Sequence, residues 1–130
     1  MSVEAFLASA RAEIDRVDPH RARELQWEGA LLVDLRPYHN RLAEGEIEGA
    51  LPIERVALEW RLDPAGQHRI PEITADRTVI VFCDEGFASS LAARDLRRIG
   101  LPHATDMIGG FRAWDQAGLP VMAGGSLAIS

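Results

Sequence analysis

The sequence predicts an α/β fold in which helices flank a parallel sheet, and three observations lead to this prediction. Short apolar segments alternate with segments whose apolar residues recur every three or four positions. One short segment, Val79–Phe82, is apolar throughout, which is typical of a central parallel strand buried on both faces. Gly and Pro separate the segments, so the connections are short. The 130 residues, 47% hydrophobic and 26% charged, suit one domain.

The first 29 residues are predicted to form two helices. Apolar side chains repeat at helical spacing from Val3 to about Arg16, which indicates an amphipathic helix. Asp18 and Pro19 are an N-cap residue and a first-turn proline, and Gly29 is a stop signal. The second helix is therefore expected to lie between Asp18 and Gly29.

Residues 30–121 carry the alternating strand and helix signals. The predicted strands are Leu31–Leu35, Ala50–Ile53, Thr78–Phe82 and Ala104–Ile108. The predicted helices are one or two turns at Val56–Leu62, an amphipathic helix from Ala88 that Gly100 stops, and a short helix at Phe111–Ala117. Ile70–Arg77 is interpreted as a proline-containing connection, and residues 122–130, with Gly124 and Gly125, as a loose tail.

The charge composition excludes several classes of partner. The net charge is −6 and no basic run is present, so a nucleic-acid partner is not expected. All 14 basic residues are arginine, which excludes Schiff-base chemistry and a phosphate-binding lysine. The four histidines lie far apart without metal-ligand spacing, so no metal or other cofactor is predicted.

The expected location is the cytoplasm. No apolar segment is long enough to cross a bilayer, so no membrane association is predicted. The N-terminus has neither the basic region nor the apolar region of a secretory signal. The single cysteine allows no internal disulfide, which suits a reducing compartment.

Cys83 is the strongest candidate for a catalytic residue. It ends the apolar Val79–Phe82 segment and is followed by a Gly-containing loop and a helix. This arrangement places the sulfur at the carboxyl edge of a sheet, where open α/β folds bind ligands, and beside a helix N-terminus that favours a thiolate. A lone intracellular cysteine is usually a small buried hydrophobe. Because polar residues and glycine follow Cys83 directly, the sequence instead predicts a catalytic or sulfur-carrying cysteine.

Four segments together resemble a single-domain rhodanese over about Ala30–Val121. They are Leu32–Arg36, Gly45–Ala50, Val79–Cys83 with Gly86 and Ser89, and Gly109–Trp114. The resemblance implies a three-layer α/β fold whose parallel sheet has five strands and is flanked by helices. It also implies a sulfurtransferase in which Cys83 carries sulfane sulfur as a persulfide, with no cofactor. The active loop would be Asp84–Ala88.

Two positions depart from the family pattern. Glu46 replaces the histidine of a Gly-His-Ile motif, and we interpret this position as structural. Ala88 stands where the family usually has an arginine that helps bind anionic donors such as thiosulfate. Asp84 and Glu85 next to Cys83 make the loop still less suited to a dianion. The expected partner is therefore a thiol persulfide or a persulfide-carrying protein rather than thiosulfate.

The predicted substrate-binding residues come from the loop and from two other strand ends. The loop supplies Asp84, Glu85, Gly86, Phe87, Ala88 and Ser89, and the N–H groups from Gly86 to Ser89 are expected to stabilise a persulfide anion. Arg36 follows the first strand, although an Asp34–Arg36 pair commonly only orders such a loop. Arg55 and Arg61 are candidates for the missing cation, with a solvated helix face as the alternative.

Two other functions fit parts of the pattern. The missing loop arginine suits a non-catalytic rhodanese-like module in which Cys83 is incidental or senses redox state. A rhodanese-like phosphatase needs an arginine six positions after the cysteine to clamp the phosphoryl group, and Ser89 occupies that position. The phosphatase is therefore the weakest of the three hypotheses.

Overall fold

The structure, a computed structural model that describes residues 1–130, has a parallel sheet flanked by helices, as predicted. The strands are β1 (Leu31–Asp34), β2 (Leu51–Pro52), β3 (Val79–Phe82) and β4 (Ala104–Asp106), in the order β2-β1-β3-β4. The helices are α1 (Val3–Arg11), α2 (Pro19–Trp27), α3 (Tyr38–Glu44), α4 (Leu58–Leu62), α5 (Ala88–Arg98) and α6 (Gly110–Gln116), with a 3-10 turn at Arg55–Ala57. None of these helices combines the length and the apolar character needed to cross a membrane.

The sheet has four strands, so the expectation of five is wrong. The edge beyond β4 carries only an isolated parallel bridge between Val17 and Met107. The Val17 N–H donates to the Asp106 carbonyl at 3.1 Å, and the Ile108 N–H donates to the Val17 carbonyl at 2.8 Å. Asp18 already caps α2, and Pro19 has no N–H to donate to a ladder. The chain therefore leaves the sheet after a single paired residue.

Alternate residues of the central strands build two separate cores. Leu31 and Val33 of β1 point into a cluster that α4 and α5 cover, whereas Leu32 points into a cluster with α2 and α6. The same alternation divides Val79 and Val81 from Ile80 and Phe82 in β3. All four residues of β3 are buried, which confirms the prediction of a central strand covered on both faces.

Two helix predictions need correction. Helix α1 ends at Arg11 rather than near Arg16, because the following residues turn to bury Ile14 and bring Arg16 against Asp106. Helix α3 was not predicted, since Tyr38–Glu44 is polar and only its Arg41 is buried. A helix held by one buried arginine has no apolar periodicity to reveal it.

The prediction of a loose tail at residues 122–130 is also wrong. Met122 forms an antiparallel bridge with Glu46, and Ile129 forms a parallel bridge with Ile53 beside β2. The Glu46 carboxylate accepts hydrogen bonds from the N–H groups of Gly125 at 2.7 Å and Ser126 at 3.0 Å. Glu46 also pairs with the buried Arg41 guanidinium at 3.2 Å. Glu46, the residue that departs from the family motif, therefore binds the C-terminal segment to the core.

Candidate active site at Cys83

Cys83 lies where β3 ends, and the loop after it is fixed by the beginning of α6. The N–H of Phe111 donates to the Cys83 carbonyl at 2.9 Å, and the N–H of Arg112 donates to the Asp84 carbonyl at 3.1 Å. Gly110 has a φ of +64°, and a Cβ at this position would lie 2.4 Å from the Cys83 carbonyl oxygen. Glycine at this position lets α6 approach the chain closely enough to bind the carbonyls of Cys83 and Asp84.

The N–H groups that follow Cys83 have no protein partner. None of the backbone N–H groups from residue 84 to residue 89 donates a hydrogen bond to a backbone or side-chain acceptor. The first paired N–H belongs to Ser90, which donates to the Phe87 carbonyl at 3.1 Å. Unpaired N–H groups are expected at the start of a helix such as α5. Here they form an uninterrupted series beside a partly exposed thiol.

A shallow pocket opens at the sulfur. Its lining consists of Cys83, Asp84, Glu85, Phe87, Ala88 and Arg112. Five of these residues were predicted for the site, whereas two predicted loop residues lie outside the lining. Gly86 is buried, with its carbonyl held from the side of α1. Ser89 is fully buried, and its hydroxyl donates to Asp106 at 2.8 Å.

Arg112 is the single cation of the pocket lining, and it is shared between two carboxylates. Its Nε donates to Glu44 at 3.1 Å, and its Nη1 pairs with Glu85. The hydrogen bonds to Glu44 and Glu85 raise the pKa of Arg112 above its usual range. The hydrogen bond from Arg112 in turn holds the pKa of Glu44 below its ordinary value, although burial opposes the shift. An anionic substrate would have to compete with these carboxylates for the guanidinium.

Asp84 is the least compensated charge at the site. Its Oδ1 is buried without a hydrogen-bond partner, and its Oδ2 accepts only a long 3.4 Å bond from Asn40. Burial raises the pKa of Asp84, and the nearby Glu44 raises it further, against the opposing effects of Arg112 and Arg36. A negative charge on Asp84 is therefore unfavourable beside the thiol.

The structure does not bring the other predicted arginines to Cys83. Arg36 is buried, pairs with Asp34 at 2.8 Å and donates to the Gly45 carbonyl at 2.7 Å. This geometry agrees with the interpretation that the Asp34–Arg36 pair orders the loop after the first strand. Arg55 pairs with Glu59, and Arg61 donates to the carbonyls of His68 and Ser130. None of the three lines the pocket, and no cluster of His, Cys, Asp or Glu side chains is arranged to hold a metal ion.

Sequence reasoning missed three arginines that contact the site. Arg112 follows Gly109–Gly110–Phe111, and its place in a motif at the same sheet edge was a usable signal. Arg11 and Arg16 both donate to the Gly86 carbonyl, 75 and 70 residues further along the chain. No pattern in the sequence connects these two arginines with the loop.

Comparison with known proteins identifies the family. The family model for the rhodanese-like domain matches residues 18–117. The chain belongs to the rhodanese-like family. A relative, the thiosulfate sulfurtransferase GlpE of Actinobacillus pleuropneumoniae serotype 7, is 32% identical over 106 residues, which cover 81% of this chain and 90% of the relative. Such relatives support sulfurtransferase activity for this rhodanese-like protein.

Solved structures agree with the rhodanese-like fold. The polysulfide-sulfur transferase homodimer of Wolinella succinogenes is similar with a TM-score of 0.75 and 26% identity, covering 92% of this chain and 85% of that chain. A Rhodopseudomonas palustris protein of unknown function, described as a possible tyrosine phosphatase, has a TM-score of 0.83 and 29% identity, covering 93% and 94% of the two chains. Both similarities extend over most of this chain.

Proposed function

We propose that this chain is a sulfurtransferase that carries sulfane sulfur as a persulfide on Cys83. The observation that carries the proposal is the partly exposed thiol at the end of β3, which opens into a pocket beside six consecutive unpaired N–H groups. Such a row of donors suits an anion that extends from the cysteine by one sulfur atom. Membership of the rhodanese-like family supports the same chemistry.

The first half-reaction loads the sulfur. The Cys83 thiolate attacks the outer sulfur of a donor persulfide, R–S–SH, and a new bond forms between the two sulfurs. The S–S bond of the donor breaks, and its electron pair leaves with the inner sulfur as the thiolate R–S⁻. The proton of the outer sulfur passes to solvent, which leaves a persulfide anion on Cys83. The transfer needs no external oxidant or reductant.

The second half-reaction returns the enzyme to its starting state. An acceptor thiolate attacks the outer sulfur of the Cys83 persulfide, the S–S bond breaks, and the Cys83 thiolate leaves. The N–H groups of residues 84–89 are available to both anions, because none of them donates a hydrogen bond within the protein. The loop needs no side-chain charge for this role.

The charges of the pocket favour a thiol persulfide or a protein donor over thiosulfate. Asp84, Glu85 and Glu44 surround one guanidinium, that of Arg112, so the local charge is negative when all are ionised. A dianion meets repulsion there, and like-charge placement is a recognised basis of selectivity. Thiosulfate is the substrate in the name of the GlpE relative, but Ala88 leaves this loop without the usual arginine.

The test of the proposed function is a direct measurement of sulfur loading. The protein is incubated with glutathione persulfide or with thiosulfate, and its intact mass is recorded before and after treatment with a thiol. We expect a gain of one sulfur atom from the persulfide, removal of that sulfur by the thiol, and little gain from thiosulfate. Cys83→Ser, which keeps the loop shape but has no thiol, should gain nothing. Unmodified wild-type protein, or sulfur retained on Cys83→Ser, would contradict the mechanism.

A non-catalytic binding module is the second candidate, and one observation favours it. The only cation in the pocket lining is already engaged by two carboxylates, so no free cation is available for a small anionic donor. In that case Cys83 would be an incidental or redox-sensing thiol. It would react with hydrogen peroxide but take no sulfur from any member of a donor panel.

A phosphatase activity has little chemical support. The clamp for a phosphoryl group requires a guanidinium at position 89, where the Ser89 hydroxyl is buried against Asp106. The description of the Rhodopseudomonas palustris protein therefore does not transfer to this chain. Absence of hydrolysis of p-nitrophenyl phosphate by the wild-type protein is the expected result.

A further inference from the structure

We propose that Arg11 and Arg16 are positioning residues for the catalytic loop. They hold the loop from the side of α1 and supply the positive charge that the sequence of the loop lacks. Both residues precede the region that the family model matches. This inference rests on the proposed role of Cys83. The family match begins at residue 18, whereas Arg11 ends α1 and Arg16 lies in the turn after it. We call these two side chains the arginine clamp.

Both side chains of the arginine clamp donate hydrogen bonds to one carbonyl of the loop. Nη2 of Arg11 lies 2.7 Å from the Gly86 carbonyl oxygen, and Nη2 of Arg16 lies 2.9 Å from the same atom. Gly86 has a φ of +86°, and a Cβ there would lie 2.8 Å from the Gly109 nitrogen. Two charge-assisted donors on one carbonyl, together with a backbone that only glycine adopts readily, fix this peptide plane.

The orientation of that plane matters for the thiol. In a trans peptide the C=O and N–H groups point in opposite directions, and the chain contains no cis bond. When the clamp holds the Gly86 carbonyl toward α1, the N–H of Phe87 points away from α1. This N–H is one of the unpaired donors, and Phe87 lines the pocket with Cys83. The clamp therefore fixes the direction of an unpaired donor in the loop that lines the pocket.

The buried carboxylate of Asp106 positions the arginine clamp. Asp106 is fully buried and accepts from Arg16 Nε at 2.8 Å and from the hydroxyls of Ser89 and Ser90, both at 2.8 Å. Arg11 Nε donates to Ser90 Oγ at 3.0 Å, so both arginines connect with the same carboxylate. The network joins α1, the loop, α5 and β4, and it satisfies the Asp106 charge at the end of β4.

On the α1 side of the loop, two guanidiniums share one carboxylate, that of Asp106. One positive charge is therefore in excess. Burial lowers the pKa of Arg11 and Arg16 lowers it further, whereas Asp106 and the Cys83 sulfur act in the opposite direction. The Cys83 sulfur is thus within electrostatic reach of the Arg11 guanidinium. Asp84 and Glu85 of the loop and Glu44 of α3 bring negative charge to the same region, while Arg112 of α6 brings positive charge.

The test is the pH dependence of Cys83 alkylation by iodoacetamide, a reaction that requires the thiolate but no sulfur transfer. Arg11→Met removes the charge and both hydrogen bonds while keeping an unbranched side chain that replaces the aliphatic part of the arginine. We expect its alkylation midpoint to move up by about 0.5–1 pH unit. Alkylation at neutral pH should slow about 3–10-fold, and kcat for sulfur transfer should fall similarly with little change in KM.

The matched control is Arg98→Met. Arg98 of α5 pairs with Glu13 just after α1, so this variant removes an ionic contact between the same two parts of the molecule without touching the loop. Its alkylation curve should overlay that of the wild type. An unshifted curve for folded Arg11→Met, or an equal shift for Arg98→Met, would overturn the proposal. A shifted curve in protein that accepts no sulfur would support the clamp and contradict the proposed transfer function.

Arg11→Lys keeps the proposal testable if Arg11→Met does not fold. Lysine retains the charge, but one ammonium cannot bond to Ser90 and Gly86 with the geometry of the guanidinium. We expect Arg11→Lys to keep most of the wild-type alkylation curve and to lose about 2–5-fold in kcat, because the carbonyl is held less firmly. Wild-type kcat in this variant would contradict the positioning role.

Discussion

Asp84 is the residue beside Cys83 whose charge is least stabilised. Its Oδ1 is buried without a partner, and the one cation in the pocket is divided between Glu44 and Glu85. An ionised Asp84, next to Cys83 in the chain, therefore carries a charge with little neutralisation. We therefore expect this single position to influence both the stability of the loop and the charge of the substrates that the pocket accepts.

Replacement of Ala88 by arginine tests the charge of the pocket directly. Ala88 is exposed and lines the pocket, so Ala88→Arg can place a guanidinium near the bound donor. One charge-assisted hydrogen bond contributes about 1.5–3 kcal/mol. We therefore expect kcat/KM for thiosulfate to rise about 10–100-fold. Ala88→Gln, which adds a long side chain without charge, is the control and should give little gain. Equal gains for both variants would mean that charge is not what limits thiosulfate.

Asp84→Asn should stabilise the protein near neutral pH. Because the folded-state pKa of Asp84 is raised, the carboxyl favours folding when protonated, and this contribution is lost as the pH rises through the folded-state pKa. The variant should therefore have a higher Tm than the wild type at about pH 7 and a similar Tm at about pH 3, where both are uncharged. Asp115→Asn, at an exposed aspartate of α6, is the control. A lower Tm at neutral pH would contradict this account of Asp84.

Glu46, which departs from the family motif, connects two elements of the fold. Its carboxylate pairs with Arg41 of α3 and accepts from the backbone of residues 125 and 126, so it joins a helix to the C-terminal segment. Burial opposes ionisation, but hydrogen bonds from Ser126 and Gly125 outweigh it and hold the pKa of Glu46 below its ordinary value. Its ionised form is thus the one that stabilises the fold.

Glu46→Gln should release the C-terminal segment at neutral pH. The loss of one charged partner in a buried network is expected to lower the free energy of unfolding by about 1–3 kcal/mol. Because the folded-state pKa of Glu46 is lowered, its carboxylate stabilises the fold above the ordinary carboxyl pKa, and this contribution is lost as the pH falls through the folded-state pKa. The difference in free energy of unfolding between the wild type and Glu46→Gln should therefore shrink below about pH 4. Urea unfolding at both pH values and hydrogen exchange at Ser126 measure the effect. Exposed Glu48→Gln is the control; an equal loss there would contradict the anchoring role.

The sequence predicted those elements whose signals are local. The Asp18 cap with Pro19 located α2, and the uninterrupted apolar run located β3 and, after it, Cys83. It did not predict α3, because one buried arginine leaves no periodic pattern. The contacts of Arg11 with Gly86 span 75 residues, and such pairings depend on how α1 packs on α5. Long-range polar contacts carry no sequence spacing from which they could be inferred.

Across the whole molecule, charge is distributed unevenly around the Cys83 sulfur. The chain carries a net charge of −6, and the pocket lining holds Asp84 and Glu85 but only one cation, Arg112, while the arginine clamp lies on the α1 side of the loop. Under the proposed function, a donor would therefore meet a net negative pocket lining before it reaches the N–H groups. Such a field alters encounter rates in a manner that depends on ionic strength.

Donor charge should consequently affect the loading rate of Cys83. Two small donors with the same persulfide group are compared: cysteamine persulfide, which carries an ammonium, and mercaptoethanesulfonate persulfide, which carries a sulfonate. We expect the cationic donor to react faster at about 10 mM salt and the difference to shrink towards about 1 M salt, where the screening length falls from about 30 Å to about 3 Å. The double substitution Asp84→Asn with Glu85→Gln should remove most of the low-salt preference, because it neutralises the two acids of the pocket lining. If the anionic donor reacts equally fast at low salt, or if the preference does not depend on salt, the pocket charge does not select the donor.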